Sequence, residues 1–232
     1  LLSKKLNLFH IEHKSNIGGR YSVLSEVGII PAYLMGLNIF KLRSRLLVCL
    51  EKKNKVFIKN NTIKLANLMK SNRFNNLIFL NYFPELDKFL SWSQQLIAES
   101  LGKKNKGFLP MASKAPKDHH SLLQLYLDGP KDKIFNIFSF EKKTEGKINI
   151  FLNKKDFSNI KVAQKRALIK TFTKKNIPFR EFKIKKINEA ILGELFSFFI
   201  VETIIVGKLL NINPFNQPAV EQVKVYTKKL LT

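Results

Sequence analysis

Short apolar runs alternate with longer segments of helical periodicity along most of this 232-residue chain, and no other feature constrains its fold as strongly. The apolar runs cover residues 76–82, 133–140 and 179–184, and each has the length of a buried strand. Strands that alternate with helices usually form a parallel sheet with helices on both faces. The sequence therefore predicts an α/β fold, a three-layer α/β/α domain with a mainly parallel sheet and additional C-terminal helices.

Helices are predicted between and after these strands. Pro84 begins one that ends at Gly102, because proline is favoured in the first turn of a helix and glycine just beyond the last. The other predicted helices cover residues 157–175, 187–210 and 218–231. A segment that contains Pro214 separates the last two.

The apolar stretch at residues 191–210 has the length of a membrane span. Glu194, Glu202 and Lys208 interrupt it, and ionisable groups inside a membrane are costly. We therefore predict a helix in the core of the protein and no membrane partner.

The net charge of +24 makes nucleic acid a partner class to consider. The lysines are scattered rather than clustered, and they accompany abundant Asn, Ile and Phe, as a bias toward A- and T-rich codons would produce. The lysine-rich residues 52–55 and 142–147 are predicted to be solvated turns. No specific nucleic-acid partner is predicted, and a basic nucleic-acid-binding domain is kept as an alternative.

The single cysteine, Cys49, excludes an intramolecular disulfide and favours a reducing compartment, which predicts a cytoplasmic protein. The first nine residues lack the apolar core and cleavage site of a signal peptide. Because the first residue is leucine rather than methionine, we expect the sequence to come from the middle of a longer chain.

Sequence motifs for common cofactors are missing. There is neither a G-x-G-x-x-G after a strand nor a G-x-x-x-x-G-K-[ST], so no nucleotide cofactor is predicted. The four histidines are His10, His13 and the adjacent pair His119-His120, without Cys or carboxylate at ligand spacing, so no metal is predicted either.

Residues 16–28, N-I-G-G-R-Y-S-V-L-S-E-V-G, form the first segment with chemical character. The glycine pair Gly18-Gly19 lets the backbone come close to a small ligand. An arginine directly after it, Arg20, can stabilise an oxyanion that develops on that ligand.

Two further segments carry groups that can transfer protons. Residues 92–103, W-S-Q-Q-L-I-A-E-S-L-G-K, place Glu99 at the end of an apolar helix face, where a carboxylate can act as a general base. Residues 115–130, A-P-K-D-H-H-S-L-L-Q-L-Y-L-D-G-P, contain His120, and an imidazole side chain can donate or accept a proton at a ring oxygen of a ligand.

Residues 213–224, N-P-F-N-Q-P-A-V-E-Q-V-K, form the last of these segments. Gln217 and Lys224 are seven residues apart, which is two helical turns. Both side chains can therefore face one pocket if the helix begins at Pro218.

Together these segments resemble the glucose-6-phosphate isomerase family over nearly the whole chain and in the family's order. The resemblance implies isomerisation of glucose 6-phosphate and fructose 6-phosphate through a cis-enediol, with Glu99 as the base and Arg20 stabilising the enediolate. It implies that His120 and Lys224 open the sugar ring and that Gln217 binds the phosphate. Ala115, Lys117 and His119 depart from the family's pattern.

The resemblance also implies a domain organisation and a partner. Residues 1–30 would be a connector that carries Gly18, Gly19 and Arg20, residues 31–186 the second sugar isomerase (SIS) domain, and residues 187–232 the C-terminal helices that complete it. The first SIS domain, with its phosphate-binding loop, would be missing, which predicts little activity from the chain alone. The family forms homodimers in which His120 would be lent across the interface.

Two expectations can be compared with a structure. Arg20, Glu99, Gln217 and Lys224 should converge on one cleft, and open α/β sheets bind ligands at the carboxyl ends of their strands. A non-catalytic SIS-type module that binds a sugar phosphate is the alternative if Glu99 points away from Arg20 and Lys224.

Overall fold

The computed structural model describes residues 2–140 and 157–231. In these ranges the α-helices are α1 (Leu2–Lys5), α2 (Glu26–Leu34), α3 (Ile39–Arg43), α4 (Lys52–Lys70), α5 (Asp87–Leu101), α6 (His119–Asp128), α7 (Phe157–Lys174), α8 (Glu189–Leu209) and α9 (Pro218–Leu231). The strands are β1 (Asn76–Asn81), β2 (Leu109–Lys114), β3 (Lys133–Phe140) and β4 (Phe179–Ile184). Short 3-10 helices cover Gly19–Leu24, Val48–Leu50 and Pro84–Leu86. The lysine-rich residues 142–147 lie outside the described residues.

The described strands form one parallel sheet in the order β2-β1-β3-β4. Asn76 of β1 pairs with Leu109 of β2 on one side and with Lys133 of β3 on the other. The helix α5 connects β1 to β2, α6 connects β2 to β3, and α7 lies between β3 and β4. The predicted α/β class, the parallel sheet and the three predicted strands are confirmed.

The core lies on both faces of the sheet, because successive side chains of a strand point to opposite faces. Leu77 and Phe79 of β1 pack in one apolar cluster with α4, α5 and α8. Ile78 and Leu80 pack in a second cluster with α6 and α7. This arrangement confirms the three layers, whereas the domain boundaries at residues 30 and 186 stay predictions.

Strand β2 was not predicted from the sequence. It lies at the edge of the sheet and begins Leu109-Pro110, and Leu109 and Met111 are exposed. Proline lacks the backbone N–H of a sheet donor, so within sheets it is confined largely to edge strands. The apolar pattern of a buried strand is therefore weak in this segment.

The predicted turn at residues 52–55 is wrong, because these residues form the first turn of α4. The buried positions of α4 are Ile58, Thr62, Leu65, Ala66 and Met69, and their spacing follows one helix face. The lysines extend this helix into solvent at its N-terminal end.

Helix α8 packs against α3, α4 and α5 and contributes Phe199 and Val206 to the core. Among the described residues it is the one helix long and apolar enough to cross a membrane, a test that core helices also pass. Glu202 within α8 is buried and accepts two hydrogen bonds from Arg180 of β4. These contacts support the predicted core helix.

Candidate active site

Arg20 lies at the centre of the candidate site, and its side chain is only 1% exposed. Its Nε donates to Ser100 Oγ at 2.8 Å. Its Nη1 donates to Glu99 Oε2 at 3.2 Å and also to Gln217 Oε1. Three residues that are far apart in sequence, Arg20, Glu99 and Gln217, are therefore joined through one guanidinium.

The same guanidinium holds the backbone of the loop before α9. Its Nη2 donates to the carbonyl oxygens of Pro214 at 2.7 Å and Asn216 at 3.1 Å. A guanidinium has five N–H donors, and Arg20 has five protein acceptors in this structure. No N–H of Arg20 is therefore left over for a ligand.

Two aromatic side chains hold Arg20 and its neighbours in place. Trp92 Nε1 donates to the carbonyl oxygen of Arg20 at 3.0 Å. Tyr21 Oη lies 2.9 Å from Ser100 Oγ and donates to the Pro214 carbonyl at 3.1 Å. The connector segment, the end of α5 and the loop before α9 thus form one hydrogen-bonded unit.

Glu99 lies in the last turn of α5 and is partly accessible, with its side chain 30% exposed. Its Oε1 accepts a hydrogen bond from Gln95 Nε2 at 3.0 Å, and its Oε2 accepts one from Arg20. The carboxylate is therefore oriented by two donors while part of it stays open to a ligand, as a general base requires.

Glu99 and Gln217 both line a cavity of about 960 Å³. The rest of its wall comes from the end of α5, the turn at residues 103–106, the loop before α9 and the first residues of α9. Burial lowers the pKa of Lys103 in this wall to about 8, and the positive charge of Arg20 adds to that effect. A cavity of this size can hold a drug-sized ligand.

The glycine pair leaves room beside Arg20. A Cβ atom added at Gly19 would meet no atom within 4 Å, and one added at Gly18 would lie 4.0 Å from Arg20 Nη1. The packing of the protein itself does not require either glycine, so their predicted closeness to a ligand stays a prediction.

The site lies at the amino edge of the sheet, so the expectation of a cleft at the carboxyl ends of the strands is wrong. Helix α5 runs from the carboxyl end of β1 back to the amino end of β2, and Glu99 is in its last turn. A connecting helix must run antiparallel to the strands that it joins. The predicted strand at residues 76–82 and the helix that follows it already imply this edge, because the helix starts at the carboxyl end of the strand and Glu99 lies at its far end.

His120 lies at the opposite, carboxyl edge. It is exposed in the first turn of α6, which follows the end of β2. The neighbouring His119 points inward, and its Nε2 is 2.8 Å from Tyr82 Oη. Burial lowers the pKa of His119, and the charge of Asp118 opposes that shift. Within one chain, the structure does not bring His120 to Glu99.

Lys224 is also not brought to Glu99. Its ammonium donates to Glu221 Oε1 at 2.7 Å, and its side chain is 62% exposed. Pro218, Ala219 and Val220 of α9 line the cavity, whereas Lys224 does not. The structure therefore assembles Arg20, Glu99 and Gln217 and leaves Lys224 outside.

Three residues of the site were missed in the sequence. Ser100 and Lys103 lie in the same short segment as Glu99, and Tyr21 follows Arg20, so adjacency to the chosen residues was the available signal. Lys103 and Tyr21 donate to backbone carbonyls of the loop before α9, which is far away in the sequence. The acceptor of Lys103, the Asn213 carbonyl, is 110 positions away. No side-chain pattern records such contacts.

Comparison with known proteins shows which proteins this chain is similar to. No protein-family model matches the chain. A probable glucose-6-phosphate isomerase of Methanococcus maripaludis is 35% identical over 241 residues, which cover 100% of this chain and 55% of that protein. A glucose-6-phosphate isomerase of Methanocaldococcus jannaschii is 33% identical and covers 93% of this chain and 56% of its own length.

Solved structures give the same fold. A hypothetical protein from Thermus thermophilus superposes with a TM-score of 0.83 and 26% identity, over 100% of this chain and 59% of its own. A glucose-6-phosphate isomerase from Chlamydia trachomatis superposes with a TM-score of 0.74 and 18% identity, over 97% of this chain and 48% of its own. The chain spans about half the length of the relatives that it matches, and over its own length its sequence is similar to part of proteins named glucose-6-phosphate isomerase.

Proposed function

We propose that this chain supplies the proton-transfer site of an aldose–ketose isomerase that interconverts glucose 6-phosphate and fructose 6-phosphate, a step of glycolysis and gluconeogenesis in the cytoplasm. The observation that carries the proposal is the convergence of Arg20, Glu99 and Gln217. The guanidinium of Arg20 contacts both other side chains, and Glu99 and Gln217 line one cavity. A base, a fixed positive charge and an amide donor thus lie side by side.

In this proposal the carboxylate of Glu99 takes the proton from C2 of the open-chain aldose. The electron pair of that C–H bond forms the C1–C2 double bond, and the C1 carbonyl oxygen becomes an enediolate oxygen. Protonated Glu99 then returns its proton to C1, while the proton of the C2 hydroxyl passes to the oxygen on C1, so that C2 becomes the ketose carbonyl and C1 becomes a CH₂OH group. The carboxylate is suited to this exchange because two donors orient it and its side chain stays partly open.

Arg20 acts in this proposal through its charge and its position rather than through a free N–H. All five of its donors have protein acceptors. A fixed cation beside Glu99 still stabilises the negative charge that develops on the enediolate, since its environment needs no reorganisation. This refines the expectation that arginine stabilises the intermediate.

Gln217 is proposed to bind the phosphate. Its Oε1 accepts from Arg20, so its NH₂ group is the part that can donate to a phosphate oxygen. Gly18 and Gly19 are proposed to let the sugar approach the backbone near Arg20, where a Cβ atom added at Gly19 would meet no atom within 4 Å.

Ring opening is proposed to need His120 and Lys224, which the cavity of one chain does not contain. His120 lies at the other edge of the sheet, and this position supports the proposal that a second copy in a homodimer lends it. Lys224 would reach the sugar only if α9 changes its position, since it now pairs with Glu221 in solvent.

The positions of Lys224 and His120 also favour a second candidate, an SIS-type module that binds a sugar phosphate without converting it. Isotope exchange separates the two functions, because only the isomerase replaces the C2 hydrogen of glucose 6-phosphate with deuterium in D₂O. The chain would be assayed alone and with the separately expressed remaining part of the Methanococcus maripaludis relative. We expect little exchange from the chain alone and rescue by the added part.

The matched variants are Glu99→Gln and Glu85→Gln, which make the same chemical change. Glu99 lies in the last turn of α5, and Glu85 lies in the short 3-10 helix that precedes α5. Removing a general base costs about a hundred- to ten-thousandfold in rate. We expect this loss for Glu99→Gln with sugar-phosphate binding retained, and no loss for Glu85→Gln. Equal exchange by both variants would contradict the base role, and binding without exchange in every mixture would favour the non-catalytic module.

A further inference from the structure

The turn that follows α5 places three lysines against the end of α8. Lys104 and Asn105 have left-handed backbone angles, with φ of 53° and 56°, and the backbones of Lys103 and Lys106 exchange hydrogen bonds of 3.1 and 3.0 Å. This is the geometry of a tight hairpin turn. It fixes the direction of the side chains that leave it.

Lys103 bridges two segments of the site through its ammonium. Its Nζ donates to the Ser100 carbonyl at 2.9 Å and to the Asn213 carbonyl at 2.7 Å. The Ser100 carbonyl belongs to the last turn of α5, where carbonyl oxygens lack a partner within the helix. Asn213 begins the loop that leads to Gln217.

Two cations therefore hold this loop by its carbonyls. Lys103 binds the carbonyl of Asn213, and Arg20 binds those of Pro214 and Asn216. The next residue is Gln217, whose side chain lines the cavity. The two lysines further along the turn, Lys104 and Lys106, reach only the carbonyls of Asn211 and Leu210, at 3.3 Å each.

We propose that Lys103 is a positioning residue that fastens the loop presenting Gln217 to the helix end presenting Glu99. This proposal rests on the proposed function, because it takes Glu99 and Gln217 as site residues. The contact of Lys103 with the loop, however, does not depend on catalysis. A hydrogen bond from an ammonium is stronger than one from a neutral donor. The Lys103 ammonium therefore makes two charge-assisted contacts that join the helix end to the loop.

The charge of Lys103 changes within an accessible pH range. Burial, together with the charge of Arg20, lowers its pKa to about 8, and the carboxylate of Glu99 opposes that shift. Lys106 is paired with Lys103 through the backbone of the turn. Because burial lowers this pKa, the cost of burying the charge is present below about pH 8 and is relieved above it, so the surroundings of the loop change across this pH.

The test is an NMR titration of the 232-residue chain that follows the side-chain amide of Gln217 from pH 6 to pH 10, roughly two units on either side of the Lys103 pKa. The variants are Lys103→Met, which removes the charge, and Lys103→Arg, which keeps a charge that does not titrate in this range. Lys106→Met is the matched control from the same turn. In the unaltered chain and in Lys106→Met, we expect the Gln217 amide signal to shift with a midpoint near pH 8. In either Lys103 variant we expect no such shift.

A second arm measures calorimetrically how tightly each chain binds 6-phosphogluconate, a sugar-acid phosphate, at about pH 7. We expect about tenfold weaker binding for Lys103→Met, since a charge-assisted contact is lost, and near-normal binding for Lys103→Arg. If no variant binds, either alone or with the added part of the relative, the proposed function fails, and the amide titration still decides the role of Lys103.

The proposal is overturned if the NMR signal of the Gln217 side-chain amide does not shift near pH 8 in the unaltered chain. It is also overturned if the same pH-dependent shift persists in Lys103→Arg. Should Lys103→Met not fold, the comparison between the unaltered chain and Lys103→Arg still gives the answer.

Discussion

Replacing Arg20 is expected to destabilise the chain more than replacing any exposed arginine. The change Arg20→Met removes five hydrogen bonds and the buried partner of Glu99. Breaking a buried ion pair by removing one partner costs about 3–5 kcal/mol. Because the Glu99 side chain is 30% exposed and can regain water, we expect the lower end, about 3 kcal/mol.

The conservative change Arg20→Lys keeps the charge but offers three donors in place of five. Two acceptors lose their donor, at about 1 kcal/mol each, so the free energy of unfolding should fall by about 2 kcal/mol. A lysine also cannot reproduce the planar geometry that reaches Ser100, Glu99 and the loop together.

Urea unfolding measured by tryptophan fluorescence is the assay. The chain has a single tryptophan, Trp92, and its Nε1 donates to the Arg20 carbonyl, so its emission reports on this part of the core. The control is Arg45→Met, which removes an arginine that is 45% exposed and paired with Glu194. Exposed pairs contribute at most about 1 kcal/mol. An equal loss in Arg20→Met and Arg45→Met would refute the reasoning.

Three further predictions concern the fold. Glu202→Gln should lower the free energy of unfolding by about 3 kcal/mol, because it leaves the largely buried guanidinium of Arg180 without its carboxylate. The control Glu194→Gln, in a more exposed pair, should lower it by under about 1 kcal/mol. Thermal melting of both variants checks this. Cys49 should react with iodoacetamide only after unfolding, because burial raises the pKa of its thiol, and mass spectrometry at about pH 8 that shows rapid labelling of the folded chain would contradict this. Gly193→Ala should cost at least about 2 kcal/mol in urea unfolding, because the new Cβ would lie 1.9 Å from a carbonyl oxygen of α3; wild-type stability would show that this close approach is not required.

Two of the three predicted strands, β1 and β3, are buried on both sides, whereas the third, β4, is only partly buried. Strands β1 and β3 have apolar side chains on both faces, and their runs are unbroken enough to recognise. Strand β2 contacts the sheet along one edge and contains Pro110, so its pattern is mixed. The first turn of α4 was mistaken for a loop because its lysines face solvent, and the helical spacing begins only at Ile58.

The parts of the site that the sequence predicted came from the resemblance rather than from spacing. Arg20 and Glu99 are 79 positions apart, and Arg20 and Gln217 are 197 apart, so no local pattern connects them. The bonds from Arg20 and Lys103 to loop carbonyls could not be predicted, because a backbone acceptor is the same at every residue. The use of all five Arg20 donors became visible only with the fold.

The edge at which each group lies limits how a complete site can be assembled. Helix α5 has 15 residues, and at about 1.5 Å per residue it spans about 22 Å from the carboxyl edge of the sheet, near His120, to the amino edge, near Glu99. Proton transfer needs its groups within hydrogen-bond reach of the substrate. A rotation of the His120 side chain or a shift of one loop cannot cover such a length, since the sheet and α5 lie between them in one packed core. If His120 takes part in the proposed reaction, it must therefore act on a sugar bound by another copy of the chain, and a two-fold axis that brought the His120 of one copy to the cavity of the other would do the same in return.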